Sequence, residues 1–486
     1  MAEHPSIREG EGEDGSKQSN GGSALCTTPL RHCRNWKLTA QSSLISWRIY
    51  LVAVGFLVLE GKGWVGIWFR RCFLSLLFES NTVPYPRIMP VSFSTTGWAS
   101  LPALIFLILD KLPEPIDHVR FAAVCKDWRS LSKLYNLATN RWCHFLPMLL
   151  IPNENCPQAD QRLVYSISEG RIYNHAQLQV PFSMRACGSS HGWLATVDRA
   201  DTTVDCADQR LVIALRNPFR QASPVIRLPP IDVFIPKCVA SYHEHFVRKV
   251  ILSGDPSLNP DNYVVVAIYA SDSRLAVFKA GQKSWHLIVK SFETADVIFY
   301  RGQVYAASMR GRVSLLDIDN PGAQPPELKL LTPKEPFERY SGNGYLVESA
   351  KGDLFHILRY CWMREVAPDK CFRFRTKGFL VYKWVFNDEE DGCIAHWVEV
   401  KSLGDEAVFL GDNHSVSVLA SNFAGCCPNS IYYTDDFVSG CPLSDGDEPC
   451  DMGIFNLEDG TIVQHYSRHT NTPRAIWVVP RFNGLC

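Results

Sequence analysis

Apolar residues recur along this chain in two rhythms, and the change between them falls near Arg141. From Trp98 to Tyr135 the spacing is helical. Leu101-Pro102 opens an apolar run, Leu104–Leu109, closed by Asp110-Lys111-Leu112. A proline in the first turn suits a helix, because its missing N–H would have no intrahelical partner there. Pro113 and Pro115 then force a break, and Pro115 can start the next helix. Ile116, Val119 and Ala123 fall at helical spacing, as do Phe121, Val124, Cys125 and Trp128, and Leu131, Leu134 and Tyr135 continue the series. This predicts short helices joined by a Pro-rich turn. Such a unit is too small to bury much core alone, so it is expected to pack on a neighbour or a partner.

Beyond Arg141 the chain reads as short β-like runs between turn residues. They include Trp193–Val197, Leu211–Leu215, Val264–Tyr269, Leu275–Lys279, Val297–Tyr300, Val304–Ala307, Val313–Ile318, Tyr345–Glu348, Leu354–Leu358, Phe379–Phe386, Ala407–Leu410, Ser430–Tyr433 and Thr461–Tyr466. Tyr300-Arg301-Gly302-Gln303, Ala350-Lys351-Gly352-Asp353 and Leu457-Glu458-Asp459-Gly460 read as hairpin turns. Many short strands with frequent Gly, Asp and Asn turns indicate an all-β sandwich, barrel or propeller. At about 40–50 residues per blade, the length allows roughly six to eight blades. The expected fold class is therefore α+β and multidomain, a small helical unit followed by a large all-β, propeller-like domain.

Ahead of both lies a stretch with neither rhythm. Residues 1–43 are rich in Gly, Ser and Glu and read as disordered. Ile49–Leu59 is apolar, but Glu60-Gly61-Lys62-Gly63 interrupts it. A spanning helix needs about 20 apolar residues, so a membrane segment is not expected. A natural start nearer Met89 also fits, since everything interpretable follows that residue. The expected division is an extension over 1–92, a helical unit over 95–140 and a β domain over 150–486.

Net charge is −1 with a pI near 6.9, so no global basic field exists to attract nucleic acid. The 17 Cys include no C-x-x-C pair and read as reduced thiols of a cytosolic or nuclear protein, Cys441 and Cys450 included. Gly188-Ser189-Ser190-His191-Gly192 fits the G-x-S-x-G pattern of an esterase elbow. That chemistry needs a helix after the serine, and Trp193–Val197 reads as a strand. His243-Glu244-His245 offers two imidazoles with no spacing that supplies further ligands. Asp388-Glu389-Glu390-Asp391, Asp435-Asp436 and the Asp445–Glu448 cluster lack the pattern of a calcium loop. Asn413-His414-Ser415 is a chance glycosylation match. No cofactor, metal or catalytic site is expected.

Two stretches carry a family resemblance. Trp98-Ala-Ser-Leu-Pro102, the apolar residues to Leu112, and Asp117-His-Val-Arg-Phe-Ala-Ala-Val-Cys-Lys-Asp-Trp-Arg-Ser130 resemble a plant-type F-box. The resemblance implies a Skp-type adaptor as partner and, through it, a cullin. The residues placed at that interface are Leu101, Pro102, Ile105, Leu109, Leu112, Val124, Cys125 and Trp128, with Phe121 and Trp128 also holding the helices together. The family often has an acid two residues after the proline, where this chain has Leu104. The distal half resembles plant F-box proteins with a kelch-like C-terminal domain. Gly188-Ser-Ser-His-Gly-Trp-Leu194, Arg216-Asn-Pro-Phe219 with Leu228-Pro-Pro230, Ala295–Ala306 and Val400–Gly411 carry that likeness. It implies a non-catalytic substrate-recognition subunit of an SCF-type ubiquitin ligase. The alternative is a propeller interaction protein with a degenerate F-box, which binds targets without degrading them.

Overall fold

A computed structural model describes residues 102–112, 118 and 121–139, and then, with several loop segments left out, strands and turns between 146 and 479. The extension expected over 1–92, with its apolar run Ile49–Leu59, lies outside the described residues. Among those described, no helix is long and apolar enough to cross a membrane.

Helix α1 spans Pro102–Asp110 and α2 spans Lys126–Thr139. The single helical rhythm expected from Ile116 to Tyr135 is interrupted at Ala123–Cys125. The Val124 N–H bonds the Phe121 carbonyl at 3.2 Å, tightening the chain into a turn. Cys125 Sγ then accepts from the Trp128 N–H at 3.4 Å, occupying a donor that the first turn of α2 leaves without an intrahelical partner. Helical spacing survives such a break because three tight-turn residues advance the chain by nearly one helical turn.

From Met148 onward the chain folds into six sheets arranged as the blades of a propeller, antiparallel except for one strand pair in the sixth. Blade 1 holds β1 (Met148–Pro152), β2 (Arg162–Ser166) and β3 (Arg171–Tyr173). Blade 2 holds β4 (Ala186–Ser190), β5 (Trp193–Arg199), β6 (Leu211–Arg216) and β7 (Ile226–Arg227). Blade 3 holds β8 (Val247–Leu252), β9 (Val264–Tyr269), β10 (Arg274–Lys279) and β11 (His286–Leu287). Blade 4 holds β12 (Thr294–Tyr300), β13 (Gln303–Ser308), β14 (Val313–Leu316) and β15 (Leu328–Leu330). Blade 5 holds β16 (Gly342–Glu348), β17 (Leu354–Val366), β18 (Cys371–Phe386) and β19 (Ile394–Val400). Blade 6 holds β20 (Glu406–Leu410), β21 (Ser415–Leu419), β22 (Ser430–Tyr433), β23 (Gly453–Asn456) and β24 (Ile462–Val463). The final strand, β25 (Ile476–Val478), returns to blade 1 and pairs with β1, Leu149 opposite Trp477. The two ends of the β domain thus close one blade together. In blade 6, β20 pairs with β22 in parallel, and β21 folds back on the inner side of β20.

The strands read as continuous apolar runs because each blade is covered on both faces. Along β9, Val265, Ala267 and Tyr269 join the core shared with blade 2, while Val266 and Ile268 join the core shared with blade 4. Side chains alternate across a strand, so both phases must be apolar where a sheet has two buried faces. Similar clusters lie between blades 4 and 5, 5 and 6, 6 and 1, and 1 and 2, completing the ring.

Turn chemistry matches the hairpins. Arg301 and Gly302 have φ of 49° and 78°, the positive pair that a two-residue hairpin of right-handed twist requires. His191 and Gly192, at 53° and 80°, do the same between β4 and β5.

One buried imidazole predicts an acid response. His356 on β17 is fully buried and stacked on Trp384 at 6.0 Å, and burial pulls its pKa down to about 4 from 6.5. Between those values the unfolded chain binds a proton that the native state does not. Stability is therefore full above pH 6.5, falls as pH drops towards 4 and levels off below. The expected loss from this residue is about 3 kcal/mol, and urea unfolding across that range should show a shallower decline in His356→Leu. An unchanged slope in that variant would refute the assignment.

Candidate functional site

Two parts of the described chain have the make-up of an interaction site. The first is the helical unit. Its inside is built by Phe106, which meets Tyr135 edge-on at 5.3 Å, and by His118, whose ring bonds the Leu112 carbonyl at 2.9 Å. The Tyr135 hydroxyl donates to Asp110, tying α2 to the end of α1. Phe121 stacks on Trp128 at 4.2 Å and 21°, and Arg129 Nε bonds the Ala122 carbonyl.

The eight residues placed at an adaptor interface divide here. Leu101 lies outside the described residues, and Pro102 opens α1. Ile105, Leu109 and Leu112 are buried within the chain itself. Val124 and Trp128 are half-buried and Cys125 is exposed. Leu107, absent from the sequence-derived set, is 36% exposed on α1. A four-residue repeat can mark which α1 residues share a stripe, but it does not say whether that stripe is covered from within.

The second is a polar belt where the inner strands approach the propeller axis. These strands meet in the order β25, β4, β8, β12, β16, β21. Three of them carry a bulge at the same place: Ala186/Gly188 in β4, Val247/Lys249 in β8 and Thr294/Asp296 in β12. The residue after each bulge performs the blade-to-blade contact. Gly188 lets β8 come so close that an added Cβ would stand 2.1 Å from the Val250 carbonyl oxygen. Lys249 is buried and ion-paired to buried Asp296. Asp296 also accepts from its neighbour's N–H on Val297 and from Leu346 N–H of blade 5, both at 2.7 Å. These bonds compensate the loss of water around two charges.

Blade 6 completes the belt through the turn before β21. Arg185 pairs with Asp412 at 3.1 Å and donates to the Val247 carbonyl at 2.6 Å. The Asn413 carbonyl accepts from Ser189 N–H at 3.1 Å, and its side-chain amide donates to the Trp477 carbonyl at 2.8 Å. Asn413 is fully buried, so the folded domain leaves no room for a glycan on it. His414, half-buried beside Lys249 and His191, has its pKa pulled down to about 3 by burial and by those neighbours, so it is neutral at pH 7.

These bonds tie the blades to one another. Ser190 ends strand β4, its Oγ accepts the Leu252 N–H at 3.3 Å, and a two-residue turn leads straight into another strand. No helix lifts the hydroxyl out, so the elbow geometry is absent at this motif. Cys187 and Cys426 are pushed up to about 12 by burial, which keeps both as thiols. Among the described residues no group of His, Cys, Asp and Glu side chains could hold a metal ion. His243-Glu244-His245 and the acidic clusters at 388–391 and 445–448 lie outside the described residues.

Comparison with known proteins gives this geometry a lineage. The chain is similar to an Arabidopsis thaliana protein named for an F-box, At5g55150, with 28% identity over 402 residues, 80% of this chain and 99% of that one. It is similar to F-box protein SKIP23 of the same plant, with 25% identity, covering 75% of this chain and 90% of that one. A shorter segment of 88 residues is 43% identical to F-box protein At2g17690, also from A. thaliana. The profile described as the KIB1-4 beta-propeller matches residues 164–456, blade 1 to blade 6, and the chain belongs to that family of propellers, among homologues of plant F-box proteins.

Proposed function

We propose that this chain is the substrate-recognition subunit of an SCF-type ubiquitin ligase. It docks on a Skp-type adaptor, and so on a cullin, through residues 95–140, and it holds a target protein through the β domain. The observation that carries the reading is the order of parts. A compact helical unit with apolar surface left open is followed by a six-bladed propeller, in a chain similar over most of its length to A. thaliana F-box proteins.

In this reading Leu101, Pro102, Val124, Cys125 and Trp128 contribute to docking, exposed Leu107 is added to them, and Ile105, Leu109 and Leu112, buried in the chain, act as support. The propeller is not a catalyst in this reading. It raises the local concentration of a target beside the ubiquitin-charged enzyme. The setting is the cytoplasm or nucleus. Leu104 favours a second reading, since the acid common at that place is missing: a propeller that binds its target without passing it on.

Pull-down of the purified chain with a plant Skp-type adaptor tests the first reading. Capture should fall about tenfold or more in Leu101→Ala/Pro102→Ala and in Val124→Glu, because charge in a desolvated contact removes more than its own contact. No capture by the folded wild-type chain would leave the second reading in its place.

A further inference from the structure

Of the 17 cysteines, only Cys426 and Cys427 are neighbours in the sequence. They lie in blade 6, on the segment that carries the chain from β21 across to β22. That segment is fixed on both sides of the pair. A short 3-10 turn, Ala420–Asn422, ends with the Phe423 N–H on the Ala420 carbonyl at 3.0 Å, and the Cys426 N–H reaches the Phe423 carbonyl at 3.3 Å. Gly425, at a φ of 77°, brings the backbone so close to blade 1 that an added Cβ would stand 2.9 Å from the Ser168 carbonyl oxygen. Beyond the pair, the Asn429 N–H bonds the Glu406 carbonyl at 2.9 Å as β22 begins.

Consecutive side chains point to opposite sides of a strand, but a turn can send both the same way. Here both cysteine side chains are half-buried against the core shared by blades 6 and 1. They also converge on one phenol. The Cys427 N–H donates to the Tyr432 hydroxyl at 2.9 Å, and that hydroxyl is within hydrogen-bonding reach of both thiols. Tyr432 is fully buried and its ring stacks on Phe409 at 4.5 Å and 15°, which holds the hydroxyl in place. Burial, with the neighbouring Cys427 adding to it, pushes Cys426 up to about 12, so it stays a thiol at pH 7.

We propose that Cys426 and Cys427 form a two-thiol binding site for trivalent arsenic compounds, closed by two As–S bonds. The chemistry balances without an oxidant. With an arsine oxide, R–As=O, two S–H bonds break and two As–S bonds form, and the oxygen leaves as water with both thiol protons. Arsenic stays trivalent, and neither sulfur is oxidised. Two other fates of paired thiols fit less well. A structural zinc site takes four ligands, and among the described residues no group of three or more His, Cys, Asp and Glu side chains could hold a metal ion. A disulfide forms by attack of a thiolate, which burial suppresses at Cys426. Its usual Cα separation, about 4.4–6.8 Å, also exceeds the roughly 3.8 Å between sequence neighbours. An arsenic atom between the sulfurs lengthens the bridge by one atom and relaxes that constraint. The site does not depend on adaptor docking, so it stands or falls apart from the receptor reading.

The test incubates the folded full chain with an equimolar amount of phenylarsine oxide, then unfolds it in urea, alkylates with iodoacetamide and maps the peptides by mass. Cys426 and Cys427 should be shielded together, and their peptide should carry one phenylarsenic group. Excess 2,3-dimercaptopropanol should restore alkylation of both, while 2-mercaptoethanol at the same concentration should not, a measurement that needs no variant. Cys426→Ser and Cys427→Ser should each lower the affinity about tenfold or more, because a single As–S bond loses the effective concentration of the second thiol. Tyr432→Phe keeps the ring in the core and should weaken binding several-fold, because the Cys427 backbone loses its anchor. Alkylation of both thiols after treatment, shielding that survives in either serine variant, or a peptide two hydrogens lighter and free of arsenic would each overturn the proposal.

Discussion

Trp477→Ala is expected to lower the unfolding free energy by about 3–5 kcal/mol, the range for emptying a fully buried large aromatic site. The residue is 0% exposed on β25, edge-on to Phe409 of blade 6 at 5.2 Å, and its indole N–H donates to the Leu410 carbonyl at 2.9 Å. It therefore joins blade 1 to blade 6 at the point where the ring closes. A chain ending at Arg474 loses all of β25. The core shared by blades 1 and 2 then loses Ile476 and Val478, and the core shared by blades 6 and 1 loses Ala475 and Trp477. The loss is expected to reach the whole stability of an ordinary domain, about 5–15 kcal/mol, so urea unfolding of the shortened chain should lose its cooperative transition. Trp362→Ala is the internal contrast, expected within about 0.5 kcal/mol because that side chain is on the surface. Cooperative unfolding of the shortened chain near the wild-type midpoint would show that closure does not depend on this strand.

The second large effect belongs to the charge network between blades 5 and 6. Arg359 is fully buried. Its Nε donates to Thr376 Oγ1 at 2.8 Å, its terminal nitrogens reach the Thr434 carbonyl at 2.8 Å and Asp451 at 3.0 Å, and its guanidinium lies 4.7 Å from the centre of the Tyr433 ring. Asp451→Leu leaves that cation buried without its counter-charge and is expected to cost about 3–5 kcal/mol. Removing both charges is a different matter, because the desolvation of each disappears with it. Arg359→Met/Asp451→Leu should cost clearly less than the two single changes added together, by about 1–3 kcal/mol in a double-mutant cycle. Denaturant midpoints of the four proteins measure this. Strict additivity would mean that the pair is not a coupled unit.

Legibility in the sequence followed burial. Val264–Tyr269 and Ser430–Tyr433 were expected as strands and are strands with those same ends, because uninterrupted apolar runs of that length suit a sheet covered on both faces. The hairpins at Arg301-Gly302 and Gly352 were readable from glycine at a position of positive φ. Where strands are short, the signal fades. Of Thr461–Tyr466, only Ile462–Val463 pairs among the described residues, at the outer edge of blade 6. β1, β8 and β25 were not anticipated, since Pro152, Arg248-Lys249 and the brevity of Ile476–Val478 obscure the pattern. The far ends of β17 and β18, where Cys361–Val366 pairs with Cys371–Thr376, were missed for a related reason. Leu354–Leu358 and Phe379–Phe386 were expected, but the Arg-rich continuation reads as polar loop when its cross-strand pairing is unknown.

The candidate sites divide along the same line. The helical unit and its family likeness came from short-range spacing, which a linear sequence contains. Its break at Ala123–Cys125, and the burial of Ile105 and Leu109, depend on tertiary packing that helical spacing alone does not contain. The belt of Arg185, Lys249, Asp296 and Asp412 has no linear signature, because its members stand 47 and 227 residues from their ion-pair partners.

By itself, then, the sequence determined what depends on neighbours a few residues apart: a helical unit followed by a large all-β domain, hairpin turns at glycines, and a near-neutral charge. The tertiary structure decided the number of blades, the parallel pairing of β20 with β22, the closure of β1 by β25, the polar belt and the extended pairing of β17 with β18. Each of these brings together residues far apart in the chain. Their pairing is selected by the total apolar surface and charge that the closed ring can bury, a quantity no local window contains.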